Sequence, residues 1–128
     1  MTAYNSGDFD PAARVAYVTL RNEITGVEWS NVPMLLDTGA DVTLVPQTAI
    51  SKLDLAVISD VSYKLLGFDG GVSFAFAVQL KLLFGRGIFR GKYLLIDQEI
   101  GVIGRDILNL IPLLFDGPRL DWSEYHPK

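Results

Sequence analysis

The longest apolar stretch of the chain, Val72 to Phe84, reads V-S-F-A-F-A-V-Q-L-K-L-L-F and is interrupted by Gln79 and Lys81. It falls well short of the ~20 unbroken apolar residues that cross a bilayer. Its aromatic and β-branched side chains suit a strand running to about Leu83. Gly85 and Gly87 then bracket a turn, and Ile88 to Ile96 reads as a further strand. A chain whose main apolar segments are strands joined by glycine turns builds its core from sheet rather than from packed helices. The twelve glycines fit that arrangement.

The remaining segments follow the same pattern. Ala13 to Arg21 alternates, and the Thr25-Gly26 turn leads to Val27–Trp29, giving an opening hairpin. Val32 to Leu36 is an apolar run holding Pro33. It ends at Asp37-Thr38-Gly39-Ala40-Asp41, after which Val42 to Val45 is again β-rich and closes at Pro46. Thr48 to Leu55 reads as a short helical turn with Thr48 as its cap. Gly67-Phe68-Asp69-Gly70-Gly71 lies between apolar flanks, and Asp-Gly between β-rich runs signals a hairpin, because glycine tolerates the positive φ of the turn. Gly101-Val102-Ile103-Gly104 leads into a short helix over Arg105–Ile111, stopped before Pro112, and Leu113 to Phe115 reads as a last buried strand.

A length of 128 residues is one ordinary domain, and with 49% apolar residues a real core is available. The net charge is −4, and the basic residues are scattered, with Arg86, Arg90 and Lys92 the densest group. A nucleic-acid surface needs a concentrated basic stripe, so nucleic acid is excluded as a partner. The absence of cysteine excludes disulfides, thiolate metal sites and cysteine nucleophiles. Met1 to Pro11 lacks the apolar core of a signal peptide, and a soluble, cytoplasmic protein without membrane partners is expected. The single histidine, His126, has no partner at metal-ligand spacing and reads as solvated. It also rules out a Ser-His-Asp arrangement. No metal or organic cofactor is expected.

Asp37-Thr38-Gly39 after an apolar strand is the central chemical signal. Leu35-Leu36-Asp37-Thr38-Gly39-Ala40-Asp41, the glycine-rich Gly67 to Gly71, and Val102-Ile103-Gly104-Arg105-Asp106 occur in that order. In this ordered set the chain resembles the retropepsin-like aspartic proteases, the single-domain family of retroviral proteases and bacterial relatives, here in a bacterial-type form. The resemblance spans roughly Ala13 to Phe115. It implies an all-β fold: a closed β-barrel protomer with one short C-terminal helix near Arg105 to Leu110, working as a C2 homodimer. It also implies residues 1–12 as a flexible segment, 13–118 as the protease domain and 119–128 as a tail. In the retroviral pattern the two termini interleave into a dimer sheet. Here the chain runs on from Pro118 to Lys128, with Trp122 either an anchor or, more ordinarily, an exposed tail aromatic.

By resemblance, Asp37 is the catalytic residue of an aspartic endopeptidase. One carboxylate takes a proton from water while its protonated neighbour polarises the scissile carbonyl. Two carboxyls ~3 Å apart repel by about 5 kcal/mol at an effective dielectric of ~20, roughly four pK units, so such a dyad shares one proton. That property is general to aspartic proteases, and its two pKa values belong to the pair. The chain holds a single Asp-Thr-Gly, so a homodimer must supply the second carboxylate. Thr38 is expected to bond across the axis, Gly39 to permit close approach, and Asp41 to pair with a bidentate Arg105 beneath the loop. Leu36, Ala40, Leu44, Ile100 and Val102 are expected to line apolar subsites for a peptide or protein substrate, with a core role the equal alternative at Leu36, Leu44, Ile100 and Val102. Gly67, Phe68, Asp69, Gly70, Gly71 and Val72 are expected to form a mobile flap with Phe68 or Val72 at its tip. Two rivals stand beside this reading. One is a catalytically silent retropepsin-like module for peptide binding or dimerisation. The other is an unrelated β-rich interaction domain.

Overall fold

The computed structural model describes residues 1–66 and 72–126. Among these the elements in chain order are β1 (Thr2–Ala3), β2 (Val15–Arg21), β3 (Glu28–Leu36), β4 (Leu44–Pro46), α1 (Ala49–Leu53), β5 (Ile58–Leu66), β6 (Val72–Phe84), β7 (Gly87–Ile96), β8 (Gly101–Ile103), α2 (Arg105–Leu108), β9 (Leu113–Asp116) and β10 (Asp121–Glu124).

Six strands close on themselves. The order β2-β3-β8-β4-β7-β6 returns to β2 through Thr19↔Leu83, Leu20↔Leu82 and Arg21↔Lys81, and β5 joins β6 outside the ring. Closure removes the free strand edges that an open sheet of this composition would present. Most neighbours are antiparallel, but β3–β8 and β4–β7 are parallel, which requires the chain to leave and return between partners.

Period-2 alternation sorts the side chains. Ala16, Val18 and Leu20 of β2, Val32, Met34 and Leu36 of β3, and Val78, Leu80, Leu82 and Phe84 of β6 all point into one buried cluster with Val45, Tyr93, Leu95 and Ile103. Gln79 on β6 and Tyr17 on β2 face outward. Leu36, expected among cleft residues, therefore belongs to the core: it is 1% exposed, on the inward phase of β3.

Both helical pieces read from the sequence are present, and each is short. Thr48 occupies the cap position of α1 without a side-chain capping bond, and Asp54 ends that helix in the left-handed region at φ 51°. The second helix is shorter than expected. It ends at Leu108, and Leu110 N–H bonds the Ile107 carbonyl in a tighter i→i+3 turn ahead of Pro112. No helix among the described residues is long and apolar enough to cross a membrane.

A second sheet lies under the barrel in the order β1-β10-β9, antiparallel throughout. Trp122, read as an exposed tail aromatic, is instead 7% exposed. Its ring meets Phe84 edge-on at 5.7 Å between centroids, and its indole N–H donates to the Val15 carbonyl at 3.1 Å. Burying a large ring of this kind while satisfying its one donor is the usual stable solution for tryptophan. Residues 119–128 thus carry a strand that the sequence reading set aside as tail, and Thr2 of β1 pairs with Trp122 of β10.

Candidate active site

Asp37 follows the last residue of β3, so its position is set by that strand's neighbours. Leu36 N–H bonds the Arg14 carbonyl at 2.9 Å, and Asp37 N–H bonds the Ile103 carbonyl at 3.0 Å. The loop then folds back on itself. Gly39 N–H donates to Asp37 Oδ1 at 2.9 Å and Ala40 N–H to the Asp37 carbonyl at 3.2 Å. A methyl group at Gly39 would stand 3.2 Å from Asp37 Oδ1, tighter than ordinary contact. Asp37 is half-buried, and Thr38 and Gly39 are exposed at the loop's crest.

The loop is held from beneath by α2. Arg105 N–H bonds the Ala40 carbonyl at 2.9 Å, and Nη1 of its guanidinium donates to the Thr38 carbonyl at 2.8 Å. Nη2 pairs with Asp41. The expected bidentate grip on Asp41 is thus a split one: the guanidinium fork spans the loop, one arm on backbone and one on carboxylate. With the side chains of Arg105 and Asp41 at 43% and 82% exposure, that ion pair is screened by water and contributes at most about 1 kcal/mol. Its value is positional.

Two residues outside the expected set complete the support. Thr43, almost fully buried, donates from its hydroxyl to Asp106 Oδ1 at 2.7 Å and accepts from Gly104 N–H at 3.1 Å. Asp106 also takes Thr43 N–H at 3.0 Å and Ile107 N–H at 3.0 Å. A Cβ at Gly104 would lie 2.6 Å from the Val42 carbonyl oxygen and 2.9 Å from that of Ala40, so only glycine lets α2 approach this closely. The Gly-Arg-Asp spelling was visible in the sequence, but nothing local to Thr43 pointed to a partner 63 positions away.

Beside the loop lies a cleft of about 510 Å³, lined by Leu35, Ile96, Ile100, Val102 and the Gln98–Gly101 turn, with Phe9 from the N-terminal segment. Ile100 and Val102 are there as expected. Ala40 and Leu44 are half-buried outside this lining, and Leu35 takes the place assigned to Leu36. Leu35 and Val102 are register partners across β3 and β8, both on the outward phase of their strands, and Leu35 stands two residues before Asp37. Gly67, Phe68, Asp69, Gly70 and Gly71 lie outside the described residues. Val72 begins β6 opposite Leu66. No group of three or more His, Cys, Asp or Glu able to hold a metal ion is present among the described residues.

The arrangement presents a carboxylate at a rigid turn, next to an apolar cleft. A family model described as retroviral aspartyl protease matches residues 16–114, from β2 through to β9. The fold is similar to that of the EIAV protease solved in complex with the inhibitor HBY-793, with a TM-score of 0.56 and 21% identity over 76% of this chain and 86% of that one. No curated protein sequence matches. With the strand that positions Asp37, the loop itself and the supporting helix all inside the matched region, the chain belongs to the retroviral aspartyl protease family and is an aspartic-type endopeptidase, a hydrolase.

Proposed function

We propose that two copies of this chain form a homodimer in which Asp37 of each supplies half of a catalytic dyad that hydrolyses peptide bonds between apolar residues. The observation that carries this reading is the clamped Asp37 loop beside the cleft. Its backbone is tied to Ile103, Ala40 and Arg105, so the carboxylate is pre-positioned before substrate arrives. The ionised member of the pair takes a proton from water, and the water oxygen attacks the scissile carbonyl carbon. The protonated member gives its proton to the carbonyl oxygen. As the gem-diol intermediate collapses, one of its hydroxyls returns a proton to the ionised carboxylate, the C–N bond breaks, and the departing nitrogen takes the proton that came from water, so the dyad again holds one proton. Because the pair works with one shared proton, activity favours acid.

In this reading the second copy joins at β9. β9 is an edge strand: β10 pairs with one side of it, and among the described residues no strand takes the other. Tyr125 N–H bonds the Pro112 carbonyl at 2.9 Å, which marks 112 as a position whose polar groups face β10. By antiparallel alternation the N–H and C=O groups of Leu113 and Phe115 face away from it. Arg14 connects this edge to the site. Its guanidinium lies 4.4 Å from the Phe115 ring centroid, and its carbonyl holds Leu36, next to Asp37. In the proposed dimer β9 pairs with a second β9 about a twofold, and the same axis has to carry the two Asp37 loops.

The test is cleavage of a peptide library between about pH 3 and pH 7, where a carboxyl dyad can hold one proton. The protein is expected to cut next to apolar residues, and Asp37→Asn to lower the rate ~10⁴-fold or more. Cleavage that survives in Asp37→Asn would falsify the assignment.

A further inference from the structure

The geometry points to Phe9 as a specificity-determining residue, the wall of the apolar subsite next to Asp37. The inference rests on the reading of Asp37 as catalytic and names one side chain that sets what the cleft accepts. Phe9 is half-buried, yet it does not pack against the barrel core; the ring lines the cleft instead. The segment carrying it is stapled. Asn5 and Ala13 exchange both backbone hydrogen bonds, at 2.7 and 3.0 Å. Inside that bridge, Asn5 Oδ1 accepts Gly7 N–H at 3.0 Å and Asp8 N–H at 2.9 Å, and Asn5 Nδ2 donates to Asp8 Oδ2 at 2.9 Å. The chain then leaves the loop through Arg14, whose carbonyl holds the residue preceding Asp37. Phe9 is thus fixed to the same frame as the carboxylate.

Its neighbours set the chemistry of the subsite. Leu35, Ile96, Ile100 and Val102 offer hydrocarbon, and Gln98 and Glu99 form a polar rim. Leu35 stands two residues before Asp37 on an extended strand, roughly 7 Å at ~3.3 Å per residue. A large side chain next to a cut bond starts ~2.5 Å from that bond and reaches a few ångströms further, far enough to enter a subsite that begins this close to Asp37. The subsite therefore takes the apolar side chain adjacent to the cut bond, and the Phe9 ring limits its size.

The experiment compares the full chain with Phe9→Ala and Phe9→Trp on matched peptides carrying Ala, Leu, Phe or Trp beside the cut bond. Phe9→Ala is expected to shift the kcat/KM ratio of Trp over Leu peptides upward by about tenfold or more, and Phe9→Trp to shift it the other way. Thermal unfolding of each variant checks that the fold is intact. Binding of the same peptides is measured in Asp37→Asn and in Asp37→Asn combined with each Phe9 substitution, so the answer does not require turnover. If the unsubstituted chain cleaves nothing, the proposed activity fails, and the ratio of Kd values still reads the subsite. Unchanged ratios in cleavage or binding, or no peptide binding at all, overturn the assignment of Phe9.

Discussion

Tyr93 sits on β7 with its ring in the barrel and its hydroxyl donating to the Phe89 carbonyl at 2.7 Å. Burial, reinforced by the nearby Asp106 carboxylate, pushes its phenol up to about 12 from the usual 10. The folded chain therefore keeps a proton that the unfolded chain releases above pH 10. Stability from this group is complete below about pH 10 and falls as pH rises towards 12. Denaturant midpoints are expected to drop across that window, and to drop less in Tyr93→Phe, whose ultraviolet absorbance titration also loses the phenol that ionises near pH 12. Midpoints that fall equally in both proteins would refute the account. At this scale the sequence was informative in an uneven way. Asp37, Thr38 and Gly39 could be singled out because their chemistry is spelled in consecutive residues. Leu35 and Leu36 could be told apart only by fixing the phase of β3, since one position along a strand exchanges core for cleft.

The loop between β3 and β4 is only as well placed as the elements around it, and Gly104 is where they come closest. Gly104→Ala puts a methyl group into the carbonyls of Val42 and Ala40, which are backbone and have little room to yield. An expected loss of about 1–3 kcal/mol in unfolding free energy follows from such overpacking, together with reduced peptide cleavage as α2 retreats from Asp37. Equilibrium urea unfolding measures the first and a rate assay the second. Unchanged values in both would show that the loop tolerates the displacement. Most strands were legible because glycine and proline punctuate them, and the two apolar runs around Asp37 marked its turn. The short pieces were harder. β10 is Asp121-Trp122-Ser123-Glu124, too brief and too charged to look like a strand until the Trp122 ring is seen filling the barrel's underside. The end of α2 was overextended because apolar spacing continues to Ile111, while the hydrogen bonds tighten after Leu108.

On the scale of the whole molecule, the termini bear on how two copies would meet in the proposed dimer. In the interleaved retroviral pattern each terminal strand finds its partners in the other subunit, whereas here β1, β10 and β9 already form one sheet within the chain. Among the described residues β9 and β1 are the outer strands of that sheet, and the proposed dimer uses the outer edge of β9. Leu114, 52% exposed at the middle of that strand, is then near its own symmetry mate. Because the chain has no cysteine, Leu114→Cys creates the sole thiol, and mild oxidation is expected to give a disulfide-linked dimer on a non-reducing gel. Ile24→Cys, in the β2–β3 turn at the far end of β3 from Asp37, is expected to remain monomeric under the same conditions. The opposite pattern would place the interface elsewhere. The parallel pairing of β3 with β8 has a consequence for when the Asp37 loop is completed during synthesis. Asp37 N–H donates to the Ile103 carbonyl, and Leu36 lies opposite that same residue. During synthesis the carboxylate emerges early, but the strand that fixes it is made after nearly all the rest of the barrel. A ribosome-bound fragment that stops short of β8 carries the residue proposed as catalytic without the strand that holds it in place.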